Sequence, residues 1–117
     1  MNFKFKKDKT FEESRAEYER VTMEHPKKLP IICEKAPNSK INNIDKTKYL
    51  VDASLSLPQF IALIKKKLNI DEKDALFLAA NGKRTLPINE TLGNIYQKYK
   101  DKDGFLYIAY AAEQVWG

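Results

Sequence analysis

The run Phe105-Leu106-Tyr107-Ile108-Ala109-Tyr110 constrains this chain more than any other stretch. Every position in it is apolar or aromatic. A strand with one solvated face alternates apolar and polar side chains, so a run without alternation needs cover on both faces. The run therefore predicts a central strand. Its buried N–H and C=O groups also need partners on both edges. The rest of the sequence has to supply two covers and two neighbouring strands.

Candidates for the neighbours are legible. Residues 29–37, "LPIICEKAP", are rich in β-branched side chains and close on Pro37. After the loop "SKINNIDKT", residues 48–52, "KYLVD", form a short strand with a charge at each end, the pattern of an edge. Together, 29–52 predict a hairpin with a long connection. A further short strand, "ALFLAANGKR", ends in an Asn81-Gly82 turn.

Candidates for the covers are helices. Thr10 and Glu13 make a capping box before "FEESRAEYERVTME", and Pro26 ends that helix. Phe11, Tyr18 and Val21 are expected on one face of it. The strongest helix is "SLPQFIALIKKKLNI". Ser56 and Gln59 form a second capping box, Pro58 sits in the tolerant first turn, and Leu57, Phe60, Ile61, Ile64 and Leu68 make one apolar stripe. A short helix in "NETLGNIYQKY" carries Leu92, Ile95, Tyr96 and Tyr99 on one side, and "KDKDG" turns the chain into the final run. The order helix, strand, strand, helix, strand, short helix, strand is that of an α+β β-grasp domain. Residues 1–26 form an additional N-terminal helical subdomain, 27–111 the grasp core and 112–117 a tail.

Composition narrows the function. At 117 residues and 43% hydrophobic, the chain suits one domain with one core. The single cysteine, Cys33, excludes an internal disulfide and fits a reducing compartment such as cytosol or nucleus. No apolar run is long enough to span a bilayer, and "MNFKFKKDK" lacks the apolar centre of a signal peptide. The net charge of +5 favours acidic partners.

An enzyme finds little support. His25, the only histidine, precedes the helix-ending Pro26 and reads as a capping or packing residue. Cys33 lies within a strand without a second cysteine or an activating motif, and reads as an inert buried thiol. No metal-ligand spacing and no phosphate-cradling glycine loop occur, so no cofactor is expected. "KFKK" and "IKKKL" interleave lysine with apolar residues, but arginine is scarce and no stacking platform stands out, so nucleic acid is not expected. "KFKK" reads as a basic arm. A protein-binding role remains: an edge strand such as "KYLVD" can accept a partner peptide as an added strand.

At this point the residues resemble a family. "EKAP" (34–37), "DKTKYLV" (45–51), "QF" (59–60), "DALF" (74–77), "LYIAY" (106–110) and the closing Trp116-Gly117 occur in the order seen in the autophagy ubiquitin-like modifiers. That family includes the GABA-receptor-associated protein and the microtubule-associated light chain 3. "FEESRAE", "EKAP" and "LYIAY" place the chain nearer the first. The resemblance implies a ubiquitin-like β-grasp and a non-catalytic modifier. Its Gly117 would be exposed by a cysteine protease where a tail follows. Activating and conjugating enzymes would then take it up and join it to phosphatidylethanolamine on the autophagosome membrane. Glycine suits that chemistry because no side chain hinders attack on its carbonyl.

The resemblance also implies docking of aromatic-x-x-aliphatic receptor motifs along "KYLV". The aromatic pocket would use Glu17, Val21, Pro30, Ile32, Lys48, Leu50 and Phe105. The aliphatic pocket would use Tyr49, Val51, Leu55, Phe60 and Leu63. Lys28, Lys46, Lys48 and Lys67 would meet acidic flanks, and tubulin is a further expected partner. Four features depart from the family. Asp52 stands where relatives often carry proline, Val21 is shorter than the usual isoleucine, Ala79 replaces a bulkier residue, and "NGKRTLPINE" is one residue longer. The alternative reading is a non-conjugated basic scaffold tethering cargo to microtubules or membranes.

Overall fold

The computed structural model describes residues 1–116. In chain order the elements are α1 (Lys4–Lys7), α2 (Phe11–Glu24), β1 (Lys28–Lys35), β2 (Lys48–Asp52), α3 (Leu57–Leu68), β3 (Phe77–Ala80), β4 (Arg84–Thr85), α4 (Leu92–Tyr99) and β5 (Leu106–Ala111). The strands form one sheet in the order β2-β1-β5-β3-β4. β5 pairs in parallel with β1 and antiparallel with β3. It is thus central, and all six of its residues are buried.

The two faces of β5 enter two cores. Leu106, Ile108 and Tyr110 join Ile31, Cys33, Phe60 and Ile64 in the main core beneath α3. Tyr107 and Ala109, with Phe105 just before the strand, join Ile32, Phe3 and Phe5 in a second core under the N-terminal segment, against which Tyr18 and Val21 pack. Strand alternation alone sorts the side chains this way. The missing alternation in the sequence is therefore the trace of the second cover.

Local chemistry fixes the helices where the sequence placed them. Both capping boxes form, at Thr10 with Glu13 and at Ser56 with Gln59. α3 buries Leu57, Phe60, Ile64 and Leu68, with Ile61 half-buried beside them. Thr91 caps α4, which buries Leu92, Ile95 and Tyr96. β1 and β2 form the expected antiparallel hairpin, with Pro30 opposite Leu50 and Ile32 opposite Lys48.

Three expectations change. "KFKK" is a packed helical turn rather than a free arm. The Glu34 carboxylate accepts from the Lys4 and Phe5 N–H groups, and Phe3 and Phe5 are buried against Tyr107 and Phe105. Phe11 is 53% exposed, because the inner face of α2 is built on Ser14, Glu17, Tyr18 and Val21. After the Asn81-Gly82 turn, whose φ values of 57° and 67° are left-handed, the chain returns as β4, a strand too short to show periodicity.

The "KDKDG" turn is a fixed joint. The buried Asp103 accepts from the Phe105 N–H (2.9 Å) and the Tyr107 hydroxyl (2.5 Å). Gly104 has φ +102°, and a Cβ there would lie 2.4 Å from the Tyr18 ring. Gly104→Ala is expected to cost about 2–4 kcal/mol from backbone strain and overpacking. Urea unfolding measures it; an unchanged midpoint would mean that α2 moves aside freely.

Candidate functional site

Among the described residues β2 pairs with β1 alone and leaves its other edge open. The Cys33 N–H donates to the Thr47 carbonyl. In an antiparallel ladder such bonded positions alternate, so Tyr49 and Val51 turn their backbone groups toward β1. The N–H and C=O of Lys48 and Leu50 then project from the open edge, as strand addition requires.

The side chains alternate as well. Lys48, Leu50 and Asp52 are exposed on the α2 side, whereas Tyr49 and Val51 are buried on the α3 side. The residues expected to receive an aromatic side chain gather on the α2 side. Val21 packs against Ile32 and Phe105, and Pro30 and Ile32 face Leu50 and Lys48 in register. Ile32 and Phe105 form a buried floor. Leu50, 39% exposed, is the most open apolar member.

Glu17 closes this side of the site. Its carboxylate bonds Lys48 at 2.6 Å and pairs with Lys9 at 3.4 Å. Burial works to raise its pKa, but the hydrogen bonds and charges of Lys48 and Lys9 outweigh that and hold it below the usual carboxylate value. Lys9 was not legible as a member of the site, since its partner lies across the turn into α2.

The expected aliphatic set lies on the opposite face. Tyr49, Val51 and Phe60 are buried in the main core, with Leu55 and Leu63 half-buried at its margin. Tyr49 is only 4% exposed; its ring meets Phe60 edge-on, and its hydroxyl donates to the Lys46 carbonyl. It supports the strand from below, and Leu55 and Leu63 offer the accessible surface. A cavity of about 780 Å³ continues outward from Leu63 between α3, Ile70 and Ile88.

The four lysines differ. Lys28 pairs with Asp52 at 3.0 Å and Lys48 with Glu17, whereas Lys46 lies 5.3 Å from the Tyr49 ring centre and Lys67 is exposed on α3. Asp52, the departure noted above, thus neutralises one of the expected cations. Gly117 lies outside the described residues.

An enzymatic centre gains nothing from the geometry. Cys33 is fully buried, and burial, reinforced by Glu34, pushes its thiol pKa upward, away from the nucleophilic thiolate. His25 caps the C-terminus of α2, its N–H donating to the Val21 carbonyl. Among the described residues no cluster of acidic, histidine or cysteine side chains could hold a metal, and no helix is long and apolar enough to cross a membrane.

Comparison with known proteins decides the family. The description "Autophagy protein Atg8 ubiquitin like" matches residues 13–117. The chain belongs to the Atg8 family. It is 42% identical to autophagy-related protein 8 of Candida glabrata over 118 aligned residues, covering 100% of this chain and 98% of that protein. Identity to autophagy-related protein 8 of Saccharomyces cerevisiae is 43%, covering 100% of this chain and 99% of the relative. The crystal structure of Trypanosoma brucei ATG8 superposes with a TM-score of 0.89 at 40% identity, over 95% of each chain. The Atg8 relationship makes this an autophagy ubiquitin-like protein, and it agrees with the ubiquitin-like sheet and its N-terminal helices.

The Glu17 pairing carries a pH signature. A carboxylate held below its unfolded pKa contributes stability above that value and loses it as pH falls through the folded one. The wild-type advantage over Glu17→Gln is therefore expected to be complete near neutrality and to shrink as acid passes below the ordinary glutamate range, about 4.3. Paired denaturation curves from pH 7 to pH 3 measure it. A pH-independent difference would show that the charge of Glu17 contributes nothing.

Proposed function

We propose that this protein is a conjugated autophagy modifier that receives receptor motifs on β2. The observation that carries the docking half is the two-sided open edge. Val21 and Leu50 offer apolar surface on one face of the sheet, and Leu55 and Leu63 offer it on the other. A bound strand also alternates its side chains. Two apolar residues of an incoming segment, separated as in aromatic-x-x-aliphatic motifs, would address the two surfaces while its backbone bonds Lys48 and Leu50. The aromatic side chain would enter between α2 and β2 over Ile32 and Phe105. Lys46 and Lys67, the two expected cations outside the ion pairs among the described residues, would meet an acidic flank, which aids encounter more than final affinity.

The conjugation half rests on Gly117 and on family membership. In this reading the protein is not itself an enzyme. A processing protease and the activating and conjugating enzymes supply the chemistry, and phosphatidylethanolamine supplies the amine. The product is an amide to a two-chain lipid, which anchors firmly because each buried methylene contributes about 0.8 kcal/mol. The protein then passes from the cytoplasm to the autophagosome membrane.

Leu50→Ala is expected to weaken an acidic aromatic-x-x-aliphatic peptide about tenfold, the loss of a well-seated interface anchor. Fluorescence titration measures it, and unchanged affinity would remove the edge-strand reading. Leu50 is the better probe because truncating Tyr49 would open the core. Gly117→Ala is expected to abolish thioester formation with the cognate activating enzyme. Normal lipidation of that variant would remove Gly117 as the point of conjugation, whereas membrane binding that needs no Gly117 and depends steeply on salt would favour the non-conjugated scaffold instead.

A further inference from the structure

The tail after β5 is fastened to the body at two points. At the first, the Ser39 hydroxyl donates to Glu113 at 2.6 Å, and the Lys40 N–H reaches the other oxygen of that carboxylate at 3.3 Å. These bonds hold the Glu113 pKa below its ordinary value, the Ser39 contact foremost. The buried Ser39 oxygen also accepts from the Ala112 N–H. At the second point, the Trp116 indole N–H donates to the Thr85 hydroxyl at 2.6 Å, and that hydroxyl donates to Gln114 at 3.1 Å.

The indole also packs against the second core, the cluster holding Phe3 and Ala109. The sheet register explains the fit. Ala109, Ala79 and Thr85 lie side by side across β5, β3 and β4. Three small side chains thus lie in one row beside the indole, which is bonded at Thr85 and packed on the cluster that includes Ala109.

We propose that the tail is an autoinhibitory latch: docking of Trp116 on Thr85 and the N-terminal aromatic core limits how readily the segment joined to Gly117 enters an enzyme. The proposal rests on the conjugation reading. An enzyme that acts on a terminal carboxylate has to enclose the residues beside it. A tryptophan seated on its own domain cannot be enclosed at the same time. The docked and undocked states therefore compete, and the activating enzyme meets only the undocked fraction. Each latch hydrogen bond is expected to shift that ratio by about fivefold.

Trp116 is the single tryptophan of the chain, so its emission reports the latch without a label. The probe is acrylamide quenching of the full chain, with the free peptide of residues 112–117 as the undocked reference. Wild type is expected to quench several-fold less than the peptide. Thr85→Val and Glu113→Gln, which cut separate anchors, are each expected to raise quenching toward the peptide value and shift emission to the red. The two substitutions lie at different places on the body, so poor folding of one variant leaves the other as the test. Wild-type quenching equal to that of the peptide would overturn the latch. With limiting activating enzyme, both variants are expected to form thioester about fivefold faster than wild type. Released tryptophan without a faster reaction would overturn the gating. Thioester absent from every variant, wild type included, would overturn the conjugation reading and the gating with it. The quenching result would still decide whether the tail docks.

Discussion

Parallel pairing between β1 and β5 joins parts of the chain about 75 residues apart, Ile31 beside Leu106. Parallel bonds cannot be closed by a tight turn, so all of β2, α3, β3, β4 and α4 must be routed between the two strands. That route places α3 across one face and leaves β2 on one edge, with β3 and β4 toward the other. It also leaves the second face of β5 without cover from the grasp itself. The N-terminal segment supplies that cover with Phe3, Phe5, Tyr18 and Val21. Asp103 and Gly104 then hold the entry to β5, where the two cores meet.

The same arrangement generates the candidate site. An edge strand over an open face would offer one apolar surface. Here α2 builds a wall on the face opposite α3, so the β2 edge is flanked on both sides. The wall carries a buried carboxylate, Glu17, which is tolerated because Lys48 and Lys9 pair with it. At the far side of the sheet small residues line up at Ala109, Ala79 and Thr85, beside which the tail is fastened. Cover of the second face thus bears on both the candidate docking edge and the seat of the tail.

Much of the frame was legible because it is written in short-range chemistry. The capping boxes at Thr10 and Ser56, the stripe of α3 and the doubly apolar run of β5 each need only neighbouring residues. The edge character of β2 was legible from its charged ends. The misjudged elements depend on distant partners. "KFKK" becomes helical because Glu34 takes the N–H groups of Lys4 and Phe5, and the Phe5 ring packs on Phe105 and Tyr107. Phe11 turns outward because the inner face of α2 is set by what lies beneath it. The pairing of Lys28 with Asp52 follows from the β1–β2 register and leaves no pattern along the chain.

The sequence by itself determined the fold class, the central strand and the set of residues that could form the site, since these follow from periodicity, caps and turns within a few residues. The tertiary structure alone decided how those residues are used. It sorted Lys48 and Leu50 from Tyr49 and Val51 onto opposite faces, made Tyr49 a core support, neutralised Lys28 and brought Trp116 to Thr85. These outcomes depend on register and on contacts across the sheet, where a single step along a strand exchanges the two faces.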